Sequence, residues 1–152
     1  MNQSPDQDAE NPLIVGGLAP GAYSRMTLLL QCDSVEGVRW LRSVFLKIAT
    51  GEDPGDLAHS PAMALEGVSS LRLARVLESP RSHIRLQDGT RIQWTASADE
   101  WVTMTYLLDP LLDGATGHQY LTNEGIDDLL VEVSHGESYT GLKRASPDPS
   151  VP

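Results

Sequence analysis

The chain has 152 residues, of which 40% are hydrophobic and 21% charged, with a formal net charge of -10 and a mean hydropathy of -0.22. That length suits one domain able to bury a core without staples, and the single cysteine excludes an internal disulfide. The acidic balance argues against direct binding to nucleic-acid phosphates, which requires Lys and Arg footprints.

Residues 1–20 hold three prolines, two glycines and several acids without periodicity, and are expected to be a disordered lead-in. The opening MNQSPDQDAE has no positive charge, and the apolar run at 13–18 is too short and glycine-rich for a signal or membrane segment. A cytoplasmic location is therefore expected. Over residues 23–32, Met26, Leu28, Leu30 and Cys32 share one parity with Leu29 on the other, the pattern of a first core strand covered mainly on one face. Cys32 closes an apolar run and reads as a buried, inert thiol.

Asp33 precedes Glu36 by three residues, the spacing of a capping box, and predicts a helix start. Val38, Leu41, Val44, Phe45 and Ile48 then recur at helical steps, with Trp40 at the margin of that face and Gly51 placed to end the helix. Residues 52–61 (EDPGDLAHSP) are turn chemistry, with His59 a solvated loop histidine. Three β segments follow, at 68–77, 82–87 and 90–96, the last two around Asp88-Gly89. A three-residue loop at Gln87, Asp88 and Gly89 would align Ile84 with Ile92 and keep Leu86 and Trp94 on the same face. Arg85, Arg91 and Gln93 would then be exposed, with Arg72, Arg75 and Arg81 before them, making this the basic side of the protein.

Ser97 and Glu100 form a second capping box ahead of Trp101, Met104, Leu107, Leu108 and Leu111. Trp101 reads as a core anchor, Pro110 should kink or shorten the last turn, and Gly114 should close it. Residues 117–139 (GHQYLTNEGIDDLLVEVSHGESY) read as two strands around Asn123, Glu124 and Gly125, with Leu129, Val131 and Val133 facing the core. The tail 143–152 is expected to be disordered. The order β-α-β-β-β-α-β-β predicts one α+β domain over residues 21–142, an antiparallel or mixed sheet of about six strands with both helices on one face. Parallel neighbours are expected only across the helices.

Charge is distributed unevenly. Residues 1–91 carry nine Lys and Arg against eleven Asp and Glu, whereas residues 92–142 carry nine acids and no Lys or Arg. Those acids make either a solvated face or a surface aimed at a basic partner.

Catalytic signatures are missing from the sequence: there is no G-x-S-x-G elbow, Walker A loop, HExxH or CxxC, and Cys32 has no basic neighbour to lower its pKa. Consecutive Asp127 and Asp128 would point to opposite faces of a strand and do not form a catalytic pair. If Leu121 pairs with Leu129, His118 falls opposite Glu132, which with His135 supports a metal-dependent or other small enzyme as the alternative reading. The leading expectation has no catalytic residue, metal or cofactor.

With GHQYL followed by LLVEVSHGE, behind a capped Trp-bearing helix, residues 94–139 resemble small α+β immunity proteins of bacterial polymorphic toxin systems. The resemblance implies a non-enzymatic cytoplasmic inhibitor that masks the active site or substrate path of one cognate toxin. An acidic surface would be steered to a basic cleft, with Tyr120 and Tyr139 as anchors and Glu124, Asp127, Asp128, Glu132 and Glu137 as the rim. Tyr106, on a helix near core positions, is the weaker anchor. A regulatory interaction module is the third reading.

Overall fold

The computed structural model describes residues 12–20, 26–77, 83–113, 116–121 and 129–136. Strand β1 (Ile14–Pro20) lies within the stretch expected to be a disordered lead-in. It pairs antiparallel with β2 (Met26–Cys32), setting Ile14 against Cys32 and Leu18 against Leu28. Its two central glycines, which read as breakers, permit close approach of the neighbouring backbones. A Cβ on Gly16 would lie 1.7 Å from the Leu29 carbonyl oxygen, and one on Gly17 would lie 2.3 Å from that of Glu66. Hence the glycines allow the strand to sit where it does.

Helix α1 (Val35–Ala49) starts one residue later than the capping-box reading places it. Ser34 is the N-cap, and no side chain bonds there. Glu36 therefore falls at the second helical position, too early to reach back, and pairs instead with Arg39 at 2.7 Å. The other end follows expectation. Gly51, at φ +99°, donates to the Ile48 carbonyl at 2.9 Å while Glu52 N–H donates to that of Lys47 at 2.9 Å. Those two bonds form a Schellman closure.

After a single 3₁₀ turn (Leu57–His59) come β3 (Met63–Glu66), β4 (Ser70–Arg75), β5 (His83–Gln87) and β6 (Arg91–Ala96). The β5–β6 loop has the expected three residues, but they are Asp88, Gly89 and Thr90. Asp88 and Gly89 both have positive φ, and Thr90 N–H donates to the Gln87 carbonyl at 3.2 Å. Ile84 thus faces Trp94 and Leu86 faces Ile92, two residues away from the expected partners but with the same four residues on one face. Helix α2 (Ala98–Leu112) is capped by Ser97, whose Oγ accepts from Glu100 N–H at 3.2 Å, and it continues two residues past Pro110. Strands β7 (Gly117–Tyr120) and β8 (Leu130–His135) complete the described fold.

The chain is α+β, with mixed pairing and two α-helices among the described residues. Its eight described strands form two sheets, ordered β3-β1-β2-β8-β7 and β4-β6-β5, where a single sheet was expected. Strand β8 runs parallel to β2, and β3 parallel to β1, across intervening helices. Strand β4 is parallel to β6 with no helix between them among the described residues, because β5 takes the far side of β6 as its hairpin partner. The expectation that parallel neighbours arise only across helices is therefore wrong for this sheet.

One apolar core joins both sheets to the helix pair. Helix α1 touches β2 and β4, and α2 touches β6, β7 and β8. At the centre, the rings of Phe45, Trp94 and Trp101 meet with centroids 5.1 to 5.7 Å apart. Trp101 is fully buried, as expected of a core anchor, and its Nε1–H donates to the Ala74 carbonyl at 3.1 Å. Trp40 is half-buried at the margin of the core.

Candidate partner-binding surface

Strand β7 is an edge of the five-stranded sheet, and its pairing with β8 decides what the expected hairpin site can be. The register sets Tyr120 opposite Glu132 and His118 opposite Ser134, two residues from the register that faced His118 with Glu132. The same choice fixes β8 against β2, where Val131 meets Leu28 and Val133 meets Leu30. Alternation along one strand does not reveal that second constraint. His118 and Tyr120 stand edge to face with ring centroids 5.5 Å apart, and Tyr120 is 39% exposed. Tyr120 thus retains the accessibility an anchor needs.

Glu132 does not fit its expected rim position. It is only 5% exposed, because β8 is an interior strand flanked by Leu29 of β2 and Tyr120 of β7. Both faces of β8 are buried, so the parity opposite the core is not a solvent face. Glu124, Asp127, Asp128, Glu137 and Tyr139 lie outside the described residues.

Among the described acids of the segment without Lys or Arg, Asp109 has a partner from the other helix. Arg42 Nε stands 3.3 Å from its Oδ1. Asp99 and Asp113 are exposed at the two ends of α2. Between them, the outer side of the helix carries Thr103, Tyr106 and Pro110, with Leu107 at its edge; Tyr106 is 61% and Leu107 36% exposed. Tyr106, ranked as the weaker anchor, is the most exposed tyrosine among the described residues. At about 100° per residue it lies opposite the buried set Trp101, Met104, Thr105, Leu108 and Leu111. The helical wheel therefore contained the signal, which nearness in sequence to core positions obscured. The stripe from Asp99 to Asp113 is about 21 Å long, at 1.5 Å per residue.

Among the described residues, the groups that could serve catalysis stand apart from one another. Cys32 is buried, and its thiol is pushed up to about 12 by burial and then by the charge of Asp33, so it holds its proton at neutral pH. Among the described residues, no three His, Cys, Asp or Glu side chains are grouped to hold a metal ion. An open cleft of about 490 Å³ lies beside β1 and β3, lined by Val15, Gln31, Met63, Leu65 and Glu66 among others. Its lining offers one carboxylate and no nucleophile or histidine. No described helix is long and apolar enough to cross a membrane.

Asp56 is a heavily engaged carboxylate and has a structural task. It accepts from Leu71 N–H at 2.8 Å, Ser70 Oγ at 2.7 Å and Ala58 N–H at 3.1 Å, joining the 3₁₀ turn to β4. Burial pushes its pKa up, but those three bonds and nearby His59 outweigh it and hold the carboxyl below its ordinary value.

Comparison with protein-family models, curated proteins and solved structures finds no match to this chain.

Proposed function

We propose that this chain is a non-enzymatic acidic binding protein that docks onto a basic surface of a protein partner. In its specific form the reading is of a cytoplasmic immunity protein that masks the active site or substrate path of a cognate bacterial toxin. The observation that carries it is the outer stripe of α2, where Tyr106 and Leu107 are exposed between Asp99 and Asp113. An aromatic anchor on a rigid helix supplies desolvated contact area, and flanking carboxylates supply orientation and association rate. Tyr120 on the β7 edge is a second candidate anchor, while Glu132 leaves the rim because it is buried.

The test starts from the product of the neighbouring gene, co-expressed and co-purified with this chain. A one-to-one complex is expected, with an association rate that falls steeply between 50 and 300 mM salt, on the order of tenfold. Replacing Asp99 and Asp113 together by Asn should slow association and flatten that dependence. A rate indifferent to salt and to both substitutions would remove the electrostatic reading. If the neighbouring product is a toxin, co-expression should also restore growth; continued growth arrest beside a stable complex would remove the immunity reading.

A further inference from the structure

The outer face of the three-stranded sheet has the opposite character from α2. Its inner positions, among them Leu71, Leu73, Ile84, Ile92 and Trp94, enter the core, so the alternate residues project outward. In the central cross-strand row, Arg72 of β4, Gln93 of β6 and Arg85 of β5 stand side by side. One row along, Arg91 is opposite Gln87, and His83 lies at the other end. No Asp or Glu occupies an outward position on any of the three strands. In a chain of net charge -10 this is a cationic, hydrogen-bonding face.

Its charges are only partly neutralised at the margins. Arg72 Nε is 3.9 Å from an Asp56 carboxylate already engaged by three other donors, and the Arg72 side chain is 61% exposed. Arg91 pairs with Asp88 of the adjoining turn, with its side chain 54% exposed. Arg85, exposed on the edge strand β5, has no ion-pair partner among the described residues. Strands lie about 4.8 Å apart, so Arg72 and Arg85 leave the backbone about 10 Å apart with the Gln93 amide between them.

We infer that this face docks a short acidic segment of a partner protein, with Arg72, Arg85 and Arg91 binding its carboxylates and Gln93 and Gln87 bonding its backbone. Guanidinium forks suit carboxylates, and exposed amides both donate and accept. A segment of a few residues lies within the Debye length of about 8 Å at physiological salt, where the local arginines outweigh the distant acids. A nucleic-acid duplex extends well beyond that distance and meets the repulsion of the whole chain, and the outward positions of the three strands carry no Phe, Tyr or Trp for stacking unpaired bases, with only His83 at one end. At the β4 edge the face meets a cleft of about 300 Å³ lined by Glu52, Asp53, Arg72, Arg75 and Gln93 among others. Glu52 and Asp53 make that end unsuitable for another carboxylate, so the acidic run ends there and a neutral or basic residue follows.

The measurement is fluorescence anisotropy of a labelled octaglutamate peptide titrated with the full chain, beside labelled octalysine and a 20-base-pair DNA duplex. Octaglutamate is expected to bind saturably and more tightly than the duplex, and Arg85→Glu combined with Arg91→Glu should weaken it at least tenfold. Octalysine binding, which reports the acidic surfaces and the intact fold, should not fall in that variant. Arg85→Gln, a smaller change at an exposed position, should weaken octaglutamate about threefold and serves if the double variant misfolds. Absence of saturable octaglutamate binding, equal binding by the variants, or tighter binding of the duplex would each overturn the proposal. None of these outcomes depends on whether the α2 stripe docks a basic partner.

Discussion

Asp56 shows how much one side chain can organise between elements. Three donors converge on its carboxylate, so replacing it by Asn, which keeps an acceptor but removes the charge, is expected to cost about 1–3 kcal/mol at neutral pH. Because its folded pKa is lowered, the stabilisation is fully present above the unfolded value of about 3.9 and is lost as pH falls through the folded one. Urea midpoints from pH 7 to pH 2 should therefore show wild type and Asp56→Asn converging at the acid end; a constant gap would contradict this account. The sequence placed Asp56 only in a turn, since neither Leu71 N–H nor Ser70 Oγ can be assigned to it without the tertiary fold. Tyr106 and Glu132 differ in the same respect. The exposure of Tyr106 follows from helical geometry and was legible, whereas the burial of Glu132 depends on which strands flank β8 and was not.

Among the elements, the two helices and the β5–β6 hairpin could be read from local rules, and even there the caps separate. Ser97→Ala removes a bond to Glu100 N–H and should cost about 1 kcal/mol, while Asp33→Ala, which removes no cap, should cost less than about half of that. Thermal or urea denaturation of the two variants compares them directly, and equal losses would show that Asp33 caps α1 after all. Strand β1 was not legible because its glycines serve a contact made far away in sequence. Gly16→Ala would drive a Cβ into the Leu29 carbonyl and should destabilise by about 1–3 kcal/mol. A neutral effect in the same denaturation assay would mean that β1 does not pack closely on β2. Strand β3 was missed for another reason: four residues with a single fully buried side chain, Met63, give too little alternation to stand out from a loop.

At the scale of the whole molecule, the α+β class followed from the order of apolar patterns, but the division into two sheets did not, because the placement of β5 beyond β6 is a topological choice. The charge asymmetry was plain in the sequence, and its meaning changed with the fold. One described acid is buried, another is paired with Arg42, and two stand at the ends of an exposed helical stripe around Tyr106. The outer face of the smaller sheet carries Arg72, Arg85 and Arg91, so it and the α2 stripe are surfaces of opposite charge on different elements. Under the proposed function, α2 presents the docking surface. The most direct test is the dissociation constant of the complex with the neighbouring gene product, measured for wild type and for Tyr106→Ala, whose exposed position leaves the core untouched. A hot-spot loss of about 2 kcal/mol, roughly thirtyfold in Kd and expressed mainly in the dissociation rate, is expected. An unchanged Kd in a stable complex would show that the partner binds elsewhere.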